Sequence, residues 1–275
     1  MPDRYAVIGH PIAHSKSPLI HGLFAQATGQ DMVYEAIDGG AGPGGFGRAL
    51  AAFCAAGGRG MNVTLPFKLA ALAVADSASE DARLAGAANT LSFEGGRIEA
   101  RNTDGIGLVR DIEHNLGLPL AGKRVLLLGA GGAVRGVLLP LLEEKPASLT
   151  VANRTVEKAQ ALASQFAPYG AVRAVGYPDL MGEQFDIIIN GTSTSLHDEL
   201  PPIPHGVFAP DALAYDMVYS AGLTPFLKRA QQEKAGMLAD GLGMLVEQAA
   251  ESFFIWRGVK PETRRVMAIL REVLN

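Results

Sequence analysis

The chain alternates short apolar runs with longer segments in which apolar residues recur at helical spacing. Runs bounded by polar or turn-forming residues predict strands at 5–8, 33–37, 60–65, 97–101, 124–128, 148–152, 171–175, 185–190 and 213–218. The remaining periodic segments predict helices at 18–27, 46–56, 67–75, 105–115, 133–143, 155–166 and 241–256, with a last helix after Pro261. Strands that alternate with helices are typical of a parallel sheet with right-handed crossovers. The pattern therefore predicts an α/β fold.

The polar segment 115–123 separates two such series, and the second begins at Arg124. A chain of 275 residues is long enough for two domains of ordinary size, each with its own core. We therefore expect two α/β domains.

Composition narrows the class of protein. Apolar residues make up 48% of the chain, which argues against disorder, and a net charge of −4 without a basic block argues against a nucleic-acid partner. No apolar run approaches the roughly 20 residues of a membrane span, and the first residues lack the apolar stretch of a signal peptide. A single cysteine, Cys54, suits a reducing compartment. We expect a cytoplasmic protein with no membrane partner.

The six scattered histidines show no zinc-binding spacing, so we expect no metal.

A glycine turn follows the predicted strand 124–128. The strand leads into Gly129-Ala130-Gly131-Gly132-Ala133 and then into an apolar segment of helical length. In this context glycines let a pyrophosphate approach the backbone at the helix N-terminus, so the turn predicts a dinucleotide site. The third glycine of the fingerprint would fall at position 134, which is Val. A structural strand-to-helix turn therefore remains the alternative.

The residues after the next predicted strand, 148–152, indicate which dinucleotide binds. NAD enzymes usually place an acid here for the ribose 2′-hydroxyl. This chain has Asn153, Arg154 and Thr155, with Lys158 one helical turn later. An acid would repel a 2′-phosphate, whereas a guanidinium binds it through a fork of donors. The pattern predicts NADP, and the alternative is a solvated Arg and Lys at a helix start.

Five polar clusters follow strands or begin helices, where the sites of α/β proteins form. They are 14–18, 62–68, 89–90, 102–105, and 240–243 with Gln248. Each also has a structural explanation: Ser17 and Asp104 are suitable N-caps, and Asn89 suits a turn.

Of these residues, Lys68 is the one for which a purely structural role explains the residue type least well. Pro66 is expected to open a helix, which places Lys68 in its first turn. The helix dipole disfavours a cation there, and departures from local rules tend to mark function. A lysine can act as general acid and base, and Asp104 at another helix start could orient it.

Together these motifs resemble the shikimate dehydrogenase family along almost the whole chain. The matching segments are 7–9 with Pro11, 14–18, 62–68, 89–90, 102–105, 129–133, 153–155, 215–219 and 240–245. The resemblance implies NADPH-dependent, reversible reduction of 3-dehydroshikimate to shikimate, a step of chorismate and aromatic amino-acid biosynthesis. It also implies a substrate-binding α/β domain (1–104 plus 242–275), a Rossmann-type NADP-binding domain (105–241) and a cleft between them.

The resemblance also implies roles for individual residues. Lys68 and Asp104 match the catalytic pair. The residues that match substrate-binding positions are Ser15 and Ser17 for the carboxylate, and Asn62, Thr64, Asn89 and Gln248 for the ring hydroxyls. The residues that match the NADP site are Gly129, Ala130, Gly131, Gly132, Ala133, Asn153, Arg154, Thr155 and Lys158, with Met217, Tyr219 and Gly241 near the nicotinamide. The family has Arg at the position of Lys158, so the clamp on the 2′-phosphate is expected to be weaker.

Two alternatives remain open at this point. One is a quinate/shikimate dehydrogenase of broader specificity, and Ser at both 15 and 17 favours shikimate over quinate. The other is a non-catalytic NADP-binding regulator on the same fold, from which loss of Lys68 or Asp104 would be expected. We expect a small-molecule substrate and either a monomer or a homodimer.

Overall fold

A computed structural model describes residues 1–274, apart from the side chain of Leu196. The chain divides into two compact units. Unit 1 comprises Met1–Gly107 and Val246–Val266, and unit 2 comprises Leu108–Leu245 and the residues from Met267 onward. Residues 267–274, which the sequence analysis assigns to the substrate-binding domain, group with unit 2. The predicted functional boundaries stay predictions.

Unit 1 is built on a mixed sheet. Its elements are β1 (Asp3–Gly9), α1 (Ser17–Thr28), β2 (Met32–Asp38), α2 (Gly45–Ala55), β3 (Gly58–Val63), α3 (Lys68–Ala73), β4 (Ser77–Ala78), α4 (Glu80–Ala85), β5 (Thr90–Glu94), β6 (Arg97–Arg101) and α5 (Asp104–Arg110). Within the described residues the strand order is β2-β1-β3-β5-β6-β4. The strands β1, β2 and β3 are parallel, whereas β5 runs antiparallel to β3 and β6.

The strands β5 and β6 form a hairpin that was not predicted, because the sequence pattern indicated β6 but not β5. Gly95 and Gly96 connect the two strands, and both have positive φ, 57° and 76°. Two consecutive glycines suit the mirror-image turns that match the twist of a hairpin. The hairpin brings the start of β5 beside the end of β3, so that Asn62 pairs with Thr90.

Unit 2 is built on a parallel sheet. After α5 come a π-helical segment (Asp111–Asn115), β7 (Arg124–Leu128), α6 (Gly132–Glu143), β8 (Ser148–Ala152), α7 (Val156–Phe166), β9 (Val172–Val175), β10 (Phe185–Asn190), β11 (Phe208–Asp216), α8 (Pro225–Gln232) and β12 (Met237–Asp240). Two helices follow, α9 (Leu242–Arg257) and α10 (Arg264–Leu274). The residues of α9 from Val246 onward belong to unit 1, and most of α10 belongs to unit 2. The strand order in the described residues is β12-β11-β10-β7-β8-β9, and each neighbouring pair is parallel. This is the predicted Rossmann-type arrangement, and the prediction of two α/β domains is confirmed.

Buried apolar strands fix the sheet of unit 2. All four residues from Val125 to Leu128 are fully buried, as expected for a central parallel strand covered on both faces. In a parallel sheet the carboxyl ends of the strands meet at one edge, so the loops after β7, β8, β10 and β11 lie together. None of the helices in residues 1–274 is long and apolar enough to cross a membrane.

The C-terminal part of unit 1 is anchored by the only tryptophan of the sequence, Trp256. Its ring stacks on Tyr5 with centroids 4.8 Å apart, and its Nε1 donates a hydrogen bond to the Leu91 carbonyl at 3.1 Å. A Cβ at Gly60 would lie 2.4 Å from the indole nitrogen, so glycine there leaves room for the ring. These contacts hold α9 against the sheet of unit 1.

Candidate active site

Lys68 and Asp104 form an ion pair at the starts of two helices of unit 1. Lys68 Nζ lies 2.6 Å from Asp104 Oδ2, and the two side chains are 27% and 15% exposed. The helix α3 begins at Lys68 itself, directly after Phe67, so the expectation that Pro66 opens it is wrong. Lys68 still lies in the first turn, and the carboxylate offsets the unfavourable placement of a cation there.

The structure gives Asp104 a different position from the N-cap considered above. Asp104 is the first residue of α5, and its own backbone N–H donates to Asn102 Oδ1 at 3.0 Å. Its Oδ1 accepts a hydrogen bond from Asn89 Nδ2 at 2.8 Å, and its Oδ2 accepts one from Lys68. Both carboxylate oxygens are therefore directed at polar side chains of the site.

The N-cap interpretation of Ser17 is also wrong. The helix α1 begins at Ser17, and Lys16 occupies the cap position without a side-chain cap bond. The Ser17 backbone N–H donates to Ser15 Oγ at 3.3 Å, which brings the two predicted carboxylate ligands together. Thr64 follows β3 and lies beside Gly9, where an added Cβ would be 2.5 Å from Thr64 Cγ2.

Asn89 connects the predicted substrate-binding side chains to the ion pair. Besides Asp104, its Nδ2 approaches Thr103 Oγ1 at 3.0 Å and Gln248 Oε1 at 3.3 Å. Its Oδ1 accepts from the Thr103 backbone N–H at 2.9 Å and from Thr90 Oγ1 at 3.0 Å. A backbone N–H can only donate, so this bond fixes which end of the Asn89 amide faces Asp104.

Two aromatic residues lie behind this network. Tyr34 Oη donates to Asn62 Oδ1 at 2.7 Å, and its ring stacks on His21 with centroids 4.1 Å apart. Burial raises the pKa of Tyr34 well above its ordinary value, and a weaker opposing effect comes from a side-chain hydrogen bond with Ser17. Burial lowers the pKa of His21 to about 3. Neither ring nitrogen of His21 has a hydrogen-bond partner within the described part of the chain.

The glycine turn of unit 2 lies at the carboxyl end of β7. Gly129 has a φ of +106°, and its N–H donates to the Ala152 carbonyl at 2.8 Å. Gly131 occupies the cap position of α6, which begins at Gly132 without an acidic residue in its first turn. The first N–H groups of a helix have no partner within it and attract anions. The turn from Gly129 to Ala133 therefore has a backbone that suits a phosphate group.

The structure explains why Val134 can replace the third glycine of the fingerprint. Val134 is fully buried, and a Cβ at Gly191 would lie 2.6 Å from its Cγ2. The glycine that allows close approach of helix and sheet thus stands after β10 instead of within α6.

The segment after β8 supplies exposed cations beside this turn. Asn153 Nδ2 donates to the Thr155 carbonyl at 2.8 Å, and Thr155 is the cap residue of α7. Arg154 and Lys158 are exposed. Because Gly129 bonds to Ala152, the residue before this segment, the glycine turn and the cations are neighbours at the same sheet edge.

Met217 and Gly241 meet at the ends of β11 and β12. A Cβ at Gly241 would lie 2.1 Å from the Met217 carbonyl oxygen, so only glycine fits. Asp216, which directly precedes Met217, is fully buried. Its carboxylate accepts hydrogen bonds from Ser195 Oγ at 2.7 Å and from Thr224 Oγ1 at 2.6 Å. These bonds fix the segment that carries Met217 and Tyr219. Burial raises the pKa of Tyr219.

Several residues that lie beside the two groups of predicted site residues were not predicted from the sequence. Arg135 lies in the first turn of α6, and its Nε is buried without a partner in the described residues. The argument that selected Lys68, a cation at a helix start, applies equally to Arg135. No sequence signal pointed to Tyr34 or Ser252, which lie within a strand and a helix.

The predicted residues fall into two groups, one in each unit. Hydrogen bonds and ion pairs join Asn62, Lys68, Asn89, Asp104 and Gln248 in unit 1. Ser15, Ser17 and Thr64 belong to the same unit, and the predicted NADP-binding residues belong to unit 2. The roles of these residues stay predictions.

Comparison with known proteins identifies the family. Three family models match: the shikimate dehydrogenase substrate binding domain at residues 7–91, shikimate/quinate 5-dehydrogenase at 111–197, and the shikimate 5′-dehydrogenase C-terminal domain at 241–271. A shikimate dehydrogenase (NADP(+)) of Chromobacterium violaceum is 65% identical over 274 residues, which cover 100% of both chains.

Solved structures agree with this match. An Ael1 enzyme from Pseudomonas putida has a TM-score of 0.92 and 55% identity, and the match covers 98% of each chain. A shikimate 5-dehydrogenase from Thermus thermophilus, in complex with NADP(H) and shikimate, has a TM-score of 0.87 and 35% identity, over 99% of this chain and 100% of that one. The chain therefore belongs to the shikimate dehydrogenase family.

Proposed function

We propose that the protein catalyses the NADPH-dependent, reversible reduction of 3-dehydroshikimate to shikimate, with Lys68 and Asp104 handling the proton. The observation that carries the proposal is the 2.6 Å Lys68–Asp104 pair, which amide and hydroxyl side chains surround in unit 1. A cyclic acid with several hydroxyls requires neutral donors and acceptors beside one proton donor. Proteins of this family supply such a step to chorismate and aromatic amino-acid biosynthesis.

The proposed substrate contacts divide by chemistry. The hydroxyls of Ser15 and Ser17, at the start of α1, suit a carboxylate. Asn62, Thr64, Asn89 and Gln248 supply the groups for ring hydroxyls. Buried polar groups of this kind reject analogues without the matching hydroxyl, because the protein group is then left unpaired.

Lys68 is the proposed proton donor in the direction of reduction. An ammonium carries three N–H donors, and one of them is directed to Asp104, which leaves others for the substrate oxygen. Asp104 accepts from Lys68 and Asn89, so it holds Nζ in place and balances its charge. In the direction of oxidation the same pair takes the proton back.

The cofactor residues fit NADP. When bound, NADPH supplies the hydride. The free N–H groups at the start of α6 suit its pyrophosphate, and Arg135 Nε is an unpaired buried donor in the same turn. Arg154 and Lys158 would hold the 2′-phosphate, and Met217, Tyr219 and Gly241 the nicotinamide. The cytoplasmic location and the oligomeric state stay predictions.

The test is steady-state oxidation of shikimate, followed by nicotinamide absorbance, with NADP and with NAD. Charge-assisted contacts to phosphate contribute roughly 1.5–3 kcal/mol, so NADP should be preferred by about 10- to 150-fold. Arg154→Ala should raise KM for NADP by a similar factor and change KM for NAD little. Arg124→Ala is the matched control, because Arg124 lies at the opposite end of β7.

The same assay distinguishes the competing interpretations. Turnover of quinate as fast as shikimate would move the assignment to a quinate/shikimate dehydrogenase. Equal use of the two cofactors would contradict the role of Arg154. Absence of turnover would favour a regulator.

A further inference from the structure

The last helix, α10, is attached to the end of β12 by a two-bond ion pair. Arg271 Nη1 lies 2.7 Å from Asp240 Oδ2, and Arg271 Nη2 lies 2.6 Å from Asp240 Oδ1. The Asp240 side chain is 8% exposed and that of Arg271 is 42% exposed. A guanidinium that binds both oxygens of a carboxylate fixes its orientation as well as its distance. Arg271 therefore holds the Asp240 carboxylate in one orientation.

The carboxylate of Asp240 in turn shapes the chain around Gly241. Asp240 is the last residue of β12, and its Oδ1 also accepts a hydrogen bond from the Leu242 backbone N–H at 3.2 Å. This bond closes a turn over Gly241. All of these groups lie within unit 2, because the residues from Met267 onward group with that unit.

Gly241 holds the segment 217–223, which follows β11. Its backbone N–H donates to the Val218 carbonyl at 3.2 Å, and an added Cβ would lie 2.1 Å from the Met217 carbonyl oxygen. Both contacts are made with the backbone of the segment. A shift of Gly241 would therefore move the backbone that carries Met217.

Arg271 also reaches this segment directly. Its Nη1 donates to the Ser220 carbonyl at 3.5 Å, immediately after Tyr219. A cavity of about 610 Å³ lies beside this contact and is lined by residues 221–223 of the segment and 267–268 of α10. The guanidinium thus bridges two elements that have open space between them, and the chain is held on both sides of Tyr219.

Loss of the guanidinium would leave a nearly buried acid without its cation. A charge of this kind is strongly unfavourable in the folded protein, whereas a charge that leaves an exposed pair is not. The end of β12 would have to move until water reaches Asp240, and Gly241 would move with it. The effect of Arg271 is therefore expected at the segment 217–223.

We propose that Arg271 is a positioning residue for the nicotinamide end of the cofactor site. Through Asp240 it holds Gly241, and through the Ser220 carbonyl it holds the segment 217–223. This inference rests on the proposed function, which assigns residues of this segment and Gly241 to the nicotinamide. It gives α10 a part in the reaction, although none of the residues predicted from the sequence lies in that helix.

The first experiment measures binding without turnover. Isothermal titration calorimetry gives the Kd of NADP and of adenosine 2′,5′-bisphosphate, the part of NADP that carries the 2′-phosphate and lacks the nicotinamide. In Arg271→Ala the Kd of NADP should rise by about 2- to 10-fold, the range of a lost neutral hydrogen bond. The Kd of the bisphosphate should change by less than about twofold, because separate residues after β8 are proposed to hold the 2′-phosphate.

Two other arginines supply the controls for binding. Arg154→Ala should weaken both ligands, because both carry the 2′-phosphate. Arg265→Ala should weaken neither, because Arg265 is an exposed residue of α10 outside the Asp240 pair. Equal losses for NADP and the bisphosphate in Arg271→Ala would show a general loosening of unit 2 and would overturn the proposal. Unchanged binding of NADP would overturn it as well.

The second experiment measures kcat for shikimate oxidation with both substrates saturating. A reacting group that is misplaced by about 1 Å costs on the order of 10²-fold, so Arg271→Ala should lower kcat by about 10- to 100-fold. Arg265→Ala should keep the kcat of the unmutated protein. Unchanged kcat in folded Arg271→Ala would contradict a positioning role.

Variants of the pair test whether Arg271 acts through Asp240. The double variant of Asp240→Asn and Arg271→Ala should lose about as much kcat as the more damaged single variant, because residues that act as a unit are not additive. Two losses that multiply would show separate roles and would overturn this route. Arg271→Lys keeps the charge without the fork, so it should recover part of the loss. If Arg271→Ala does not fold, the two Kd values of Arg271→Lys decide by the same criterion.

The outcomes separate the two levels of inference. Failure of the unmutated protein to oxidise shikimate with NADP contradicts the proposed function, and this inference with it. Turnover by the unmutated protein, with unchanged NADP binding and kcat in folded Arg271→Ala, contradicts this inference alone.

Discussion

At the scale of single residues, the site of unit 1 combines one ion pair with several neutral amides and hydroxyls. Each oxygen of Asp104 has a different partner, Lys68 for Oδ2 and Asn89 for Oδ1. Neither partner can be lost without leaving a partly buried acceptor unmatched, which costs about 1–3 kcal/mol. The carboxylate is therefore held in one orientation.

The first prediction concerns this pair. Asp104→Asn keeps the shape of the side chain but removes the charge that faces Lys68, so kcat should fall by on the order of 10²–10⁴. Lys68→Ala should lower kcat by a similar factor, and the double variant should lose little more, because residues that act as a unit are not additive. Steady-state kinetics of the three variants measures this.

The control for the pair is Glu99→Gln, which removes the carboxylate of an exposed ion pair with Arg101 in the same unit. It should leave kcat unchanged, since exposed pairs contribute about 0–1 kcal/mol. Full activity of Asp104→Asn would remove Asp104 from the mechanism, and multiplicative losses in the double variant would separate the roles of the two residues.

The sequence could predict Lys68 and Asp104 because each stands at a helix start, where a simple electrostatic rule applies. The sequence could not place the first residue of a helix exactly. Asp104 and Ser17 proved to be the first helical residues instead of N-caps. Tyr34 and Ser252 were beyond sequence reasoning, because their partners lie far along the chain and only the folded sheet brings them together.

At the scale of secondary-structure elements, the buried parallel strands were the most predictable. The strands 124–128, 148–152 and 185–190 have the predicted bounds because both faces are covered and the apolar run ends where burial ends. The elements that were missed, β4, β5, α4, α8 and β12, are short or only partly buried. The hairpin of β5 and β6 had a readable signal in Gly95 and Gly96, which suit its turn.

The prediction at this scale concerns the contact of α6 with the end of β10. A Cβ at Gly191 would lie 2.6 Å from Val134 Cγ2 and 3.1 Å from Met217 Sδ. Gly191→Ala should lower the free energy of unfolding by about 1–3 kcal/mol through overpacking. Val134→Ala alone should cost about 2 kcal/mol or more through the cavity that it leaves.

The double variant tests the contact itself. Removing the methyl groups of Val134 makes room for the new Cβ, so Val134→Ala with Gly191→Ala should cost at least about 1 kcal/mol less than the sum of the single variants. Denaturant unfolding of the four proteins measures the coupling. Simple additivity would mean that Gly191 is needed for another reason than this contact.

At the scale of the whole molecule, the alternation of strands and helices was enough to predict two α/β domains. It was not enough to place the boundaries. Residues 267–274 belong to α10, whose sequence reads only as one amphipathic helix, and tertiary contacts alone group them with unit 2.

The prediction at this scale is a pH dependence of stability that comes from His21. Its pKa is lowered by burial to about 3 in the folded protein, against 6.5 in the unfolded chain. Between these values the unfolded chain binds the proton and the folded protein does not, so stability is complete above pH 6.5 and falls as the pH is lowered. From pH 7 to pH 5 this single group should cost about 2 kcal/mol.

His21→Phe should remove the part of the stability loss between pH 7 and pH 5 that the protonation of His21 causes. The ring nitrogens of His21 have no hydrogen bonds to lose within the described residues, and its neighbours are the rings of Phe24, Tyr34, Phe253 and Trp256. Urea unfolding at pH 7 and pH 5 gives the comparison. Equal losses of stability in the two proteins between these pH values would mean that His21 is not the group responsible.

The placement of Trp256 makes the two units optically distinguishable. Tryptophan dominates the near-ultraviolet emission of a protein, and the sequence places its single indole in unit 1, stacked on Tyr5 and bonded to Leu91. Fluorescence excited at the red edge of the protein's absorption band, where tryptophan alone absorbs, thus reports detachment of α9 from the sheet of unit 1. Far-ultraviolet circular dichroism averages over both units. If unit 2 unfolds at a different denaturant concentration, the two signals have different midpoints, and their separation measures how independently the two cores are stabilised without any label on the chain.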